Sequence, residues 1–112
     1  MNTMKDDAIF FDDDELEAAS HWYGGMGSML YAIASTGALK RGSHRPRNDD
    51  GSPMTDDEWL ADLAGRLEAE AGFAARDARA RAKKVRGKEK KELLAEAEAL
   101  LGIAAKAAEY SE

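Results

Sequence analysis

DDELEAASHWYGGMGSMLYAIAST, residues 13–36, is the stretch on which the fold turns. Its large apolar side chains are Leu16, Tyr23, Met26, Leu30 and Ile33, with Ala19 in the remaining slot, so the spacing alternates three and four. That is the seam of a helix that packs along another helix. Asp12 to Glu15 give it an acidic start and Gly37 a stop, as helix ends prefer. Gly24, Gly25 and Gly27 fall in the middle, each costing about 1 kcal/mol against Ala in a helix interior. The seam keeps its phase across them. The spacing therefore predicts one continuous or gently kinked helix, A, over 13–36. Gly24, Gly27 and Ser28 would then form a helix-packing strip of small residues.

Working outward, residues 1–12 read as a flexible N-terminal segment. Within it Ile9 or Phe10 is placed to fold back on the first turn of helix A as a hydrophobic staple. Residues 38–54, with Gly42, Pro46, Gly51 and Pro53, read as a loop, and Asp50-Gly51 as a turn within it. Thr55-Asp56-Asp57-Glu58 is a capping box that opens helix B, residues 55–85, along which Trp59, Leu60, Leu63, Leu67, Ala71, Ala74 and Ala78 recur at helical spacing. Gly87 marks a turn. Helix C, residues 88–109, carries Leu93, Leu94, Ala97, Leu100, Leu101, Ala104 and Ala107 down one face. The expected fold is all-α, a single helical domain over 1–112. It is a three-helix arrangement with the long helix A packed on an antiparallel B–C hairpin.

Composition bounds the chemistry. The chain has 112 residues, 44% of them hydrophobic, and alanine supplies much of that fraction, so the core is expected to be thin. There is no cysteine, which excludes disulfides and thiolate metal sites. The start, Met1 to Asp7, is polar and acidic, and no apolar run approaches the roughly 18 residues of a membrane span. These features predict a cytoplasmic location and no membrane contact.

No catalytic set emerges. Gly24-Gly25-Met26-Gly27-Ser28 lacks the preceding strand and glycine spacing of a dinucleotide fingerprint, and the Gly-Lys-Ser/Thr of a P-loop. His21 has no identifiable nucleophile to serve. An EF-hand reading centred on Gly51 puts Pro46 at the first ligand position, where no side chain can coordinate. Two histidines without cysteine make a poor zinc set. The expectation is a non-enzymatic chain with no cofactor and no metal.

Binding residues are easier to nominate. Trp22 and Tyr31 offer large area with a polar tip, which suits contact with a protein partner. Arg41, Arg45 and Arg47, on the irregular backbone of the 38–54 loop, are further candidates for contact with a protein partner. The net charge of −6 is unevenly placed. A basic block runs from Arg76 to Lys91, and Arg79, Lys83, Lys84, Arg86, Lys88, Lys90 and Lys91 would gather at one tip of a B–C hairpin. That tip suits a phosphate backbone or an acidic protein surface.

Asp13 to Arg41, followed by Met54-Thr55-Asp56-Asp57-Glu58-Trp59-Leu60-Ala61-Asp62-Leu63, resembles small acidic helical accessory proteins encoded by bacteriophages of actinobacteria. The resemblance covers about half the chain. It implies an accessory protein acting in the host cytoplasm by binding host or phage machinery, and it carries no activity or functional residue across. The leading expectation is a protein–protein interaction module that binds or inhibits a host protein, with homo-oligomerisation through the helix A seam as a subsidiary one. Nucleic-acid binding through 76–91 is a second reading. DNA mimicry by the acidic helix faces is a third.

Overall fold

The computed structural model describes residues 8–111, which form β1 (Ala8–Phe10), α1 (Asp13–Trp22), α2 (Met29–Thr36), β2 (Ala38–Lys40), α3 (Asp56–Ala82) and α4 (Gly87–Tyr110). The long helices α3 and α4 pack along one another as a hairpin turned at residues 83–86. Across it lie α1, against α4, and α2, against α3. The predicted hairpin is present within three residues at each end.

The single helix A is not. Residues 13–36 are two helices separated by Tyr23–Ser28. Tyr23 ends α1 in an extended conformation and Gly25 has φ of 140°, a value that side chains disfavour. The glycine penalties prevail over the seam because each half gains its own cap. Asp12 and Glu15 form a reciprocal capping box at the start of α1, and the Ser28 hydroxyl accepts from the Tyr31 amide at the start of α2. Gly37 ends α2 in the left-handed region, as its position predicted. The seam consequently dissolves. Ala19, Leu30 and Ile33 are buried in the chain's own core, whereas Tyr23 is 44% and Met26 79% exposed. No continuous edge is left for self-association through helix A.

The fold is also not purely all-α. Antiparallel β1 and β2 pair Ile9 with Leu39 and Phe10 with Ala38, so the chain entering α1 is tied to the chain leaving α2. Residues 8–10 therefore belong to the fold rather than to a flexible segment, and residues 38–40 to a strand rather than a loop. Residues 1–7 lie outside the described residues. Ile9 and Leu39 are buried, while Phe10, an expected staple, is 68% exposed. Phe11, which directly precedes the cap, is the buried neighbour instead.

The core is thin, as composition implied. Its largest fully buried side chains are Leu30, Ile33, Leu39, Leu67, Leu100 and Ile103, and Ala18, Ala19, Ala64, Ala71, Ala75 and Ala107 fill the rest. Among the described residues no helix is long and apolar enough to cross a membrane.

Candidate interaction surfaces

The break at 23–28 builds the first surface. With no side chains at 24, 25 and 27 the linker turns sharply, and a Cβ placed on Gly24 or Gly27 would meet no atom within 4 Å. The close helix approach expected at Gly24, Gly27 and Ser28 is therefore absent. Ser28 is a cap, and the glycines serve the turn. Close approach occurs at Gly102 on α4 instead, where a Cβ would lie 2.9 Å from Oε2 of Glu15.

Two anchors hold the linker. At its start, the Trp22 indole N–H donates to Glu96 Oε1 on α4, and His21 Nδ1 lies 2.9 Å from Glu96 Oε2. The Arg81 guanidinium covers the Trp22 ring at 4.9 Å. Trp22, nominated for a partner, is thus the pin joining α1 to the helical hairpin. At the far end, the Glu70 carboxylate on α3 accepts from the Met29 and Leu30 amides at 3.0 and 3.1 Å. These are unsatisfied donors of the first turn of α2, and a negative charge there also favours the helix dipole.

Glu70→Ala removes both acceptors. The expected loss is about 2 kcal/mol, the upper part of the range for part-buried donors left unpaired by a charged partner. Urea unfolding checks the magnitude. Amide exchange should accelerate first at Met29 and Leu30, and a variant with unchanged exchange at those two positions would refute the clamp.

Between the anchors the surface is apolar and open. The Tyr23 and Tyr31 rings meet edge to face with centroids 5.2 Å apart. Met26 stands out on the linker. A shallow groove of about 420 Å³ runs alongside, lined by Trp22, Gly24, Ser28, Leu30, Phe73 and Ala74 and by the carboxylates of Glu70 and Asp77. Phe73, on α3, is 65% exposed beneath Arg76. Tyr31 lies beside this surface through its ring contact with Tyr23. Tyr23, beside His21 and Trp22, reads from the sequence as either a binding aromatic or a seam residue, whereas Met26 and Phe73 carry no binding signal there. Met26 falls on the seam, and Phe73 lies off the periodic face of its helix.

Arg41, Arg45 and Arg47 lie elsewhere. Arg45 donates to the Met54 carbonyl at 2.7 Å and to Asp56 Oδ1 at 2.6 Å, and sits over the Trp59 ring. Arg41 is 3.8 Å from the same carboxylate. The Arg45 hydrogen bond, with the Arg41 charge beside it, holds the Asp56 carboxyl below the usual carboxylate range. Arg47 donates to the Gly51 carbonyl at 2.7 Å, closing the turn at Asp50-Gly51. Arg41 and Arg45 tie the loop to Asp56 at the start of α3, Arg47 closes its turn, and none of the three is brought together with Trp22 and Tyr31.

The nominated cations of the basic block, Arg79, Lys83, Lys84, Arg86, Lys88, Lys90 and Lys91, are all exposed around the α3–α4 turn. Among the described residues no three His, Asp or Glu side chains form a metal-holding group. Comparison with protein-family models, curated proteins and solved structures finds no match to this chain.

Proposed function

We propose that this chain is a non-enzymatic protein–protein interaction module and that the 23–28 linker, with Tyr31 and Phe73, is its contact face. One observation carries the reading. Tyr23, Met26 and Phe73 are large apolar side chains left 44%, 79% and 65% exposed around one linker, although the chain has few large apolar residues for its own core. A thin-cored protein gains nothing in stability by holding three of them in water. An aromatic and methionine cluster beside an open groove is the composition of an interface centre rather than of a general surface. The rigid anchors at Trp22 and Glu70 pre-form it, which lowers the ordering cost of binding. Taken with the resemblance to phage accessory proteins, the occupant is an apolar side chain of a host or phage protein, acting in the host cytoplasm.

The test compares two baits, the wild-type chain and Tyr23→Ala/Met26→Ala/Phe73→Ala, in parallel capture from the native host. The three positions are exposed, so the variant should melt within a few degrees of wild type, about 1 kcal/mol in all. The wild-type partner should be depleted at least tenfold on the variant, and the purified pair should reproduce that loss. A partner retained equally by both baits would disprove the assignment of this face.

A further inference from the structure

The α3–α4 turn carries a second surface, independent of the first. Residues 79–91 hold eight cations against one carboxylate, a net charge of +7, while the rest of the chain holds eight cations against 21 carboxylates. Yet this segment adds little to the fold. Toward the turn, the described core cluster ends at Ala75 on α3, and on α4 it begins at Ala99 and Leu100. Beyond it the two helices meet through Ala78, Ala82 and Ala97, with no large side chain fully buried.

The segment also breaks local rules without a folding gain. Arg81 pairs with Asp77 and covers Trp22. Among the described residues, the side chains of Arg79, Lys83, Lys84, Arg86, Lys88, Lys90 and Lys91 make no ion pair or hydrogen bond. Like charges three and four residues apart repel, and lysines in the first turn of α4 oppose its dipole. Arg86 occupies the N-cap without a capping hydrogen bond, so no side chain caps the first amides of α4. Such conflicts with foldability concentrate where a ligand resolves them.

We infer that this tip binds the phosphodiester backbone of nucleic acid without reading sequence. An anionic ligand neutralises the repelling lysines and also meets the uncapped amides of α4. None of the exposed large apolar side chains falls within 79–91, so the tip has neither the apolar centre of a protein interface nor the anchor of a membrane-surface helix. It has no aromatic ring for stacking on bases, which leaves the backbone as the target and makes duplexes as suitable as single strands. The acidic remainder repels the same polyanion, so the molecule approaches tip first.

Fluorescence anisotropy of the full chain against a labelled DNA duplex, its scrambled version and the matching RNA duplex tests this. All three duplexes should bind at about 50 mM salt, and affinity should fall on the order of 100-fold by about 200 mM if about four phosphates are engaged. Lys83→Gln/Lys84→Gln/Lys90→Gln/Lys91→Gln should lose a similar factor at low salt and flatten the salt dependence, with a circular dichroism melt no lower than that of the wild type. Lys40→Gln, an exposed cation outside the tip, should bind as wild type. Binding to only one of DNA and RNA identifies which nucleic acid supplies the backbone. No binding at low salt, binding untouched by the four substitutions, or equal affinity for polyglutamate or phosphatidylserine vesicles overturns the inference.

Discussion

Leu67→Ala is expected to destabilise the chain by about 3–4 kcal/mol and to lower the melting temperature by roughly 10–20 °C. Leu67 is fully buried on α3 and is one of six large side chains that are. Its neighbours on the same face, Ala64 and Ala71, are buried alanines with no rotamer that reaches into the vacated space. The cavity therefore stays open, which puts the cost in the upper part of the range for Leu→Ala. Leu101→Ala on α4 is the control. Leu101 is 37% exposed, and its removal should cost under about 1 kcal/mol. Urea unfolding of both separates the outcomes. A Leu67 variant as stable as the Leu101 variant would mean that α3 and α4 close on each other when a side chain is removed, and that the alanine seam is pliable.

How far the sequence led is clearest from residues 13–36. Helix boundaries marked by caps were legible, because Thr55 with Glu58 and Gly37 act through local hydrogen bonds and backbone freedom. The break at 23–28 was not, because the three-four spacing survives any linker whose length keeps the count. Besides the local Ser28 cap, Glu70, some forty residues away, satisfies the amides of Met29 and Leu30 at the break. No local pattern announces a carboxylate that caps a distant helix. The two strands were hidden for a similar reason. Three residues each, Ala-Ile-Phe and Ala-Leu-Lys, are too short to show alternation, and each is a strand only because the other is beside it. The basic tip was readable because charge runs and a hairpin turn both write themselves locally. The apolar face was not legible, because Tyr23 and Met26 fall on the spacing of a seam that does not form and Phe73 lies on α3, far away in sequence.

The other large effect is expected at the buried carboxylate of Glu15. Its Oε1 accepts from the Asp12 amide at 3.0 Å and from Lys106 Nζ at 2.7 Å, and Gly102 makes room for its Oε2. The side chain of Glu15 is 9% exposed and that of Lys106 39%, so the two partners are not equivalent. Lys106→Met keeps most of the aliphatic stem but loses the ammonium that lies over the Phe11 ring, and it strands the carboxylate. About 2–4 kcal/mol should be lost, the penalty of leaving a buried charge uncompensated. Glu15→Gln should cost about 1 kcal/mol, because the amide oxygen still accepts from Asp12 and the freed Lys106 ammonium reaches water. The double variant should be more stable than Lys106→Met alone, with a coupling of about 1.5–3 kcal/mol measured by a thermal or urea double-mutant cycle. A Lys106→Met cost below about 1 kcal/mol, with no coupling, would mean that water screens the pair as on an open surface. The pair also bears on function, since Glu15 holds α1 to α4 and α1 carries the linker. If the 23–28 face binds a protein partner, Lys106→Met should weaken that binding although Lys106 lies off the face, and Glu15→Gln/Lys106→Met should restore it.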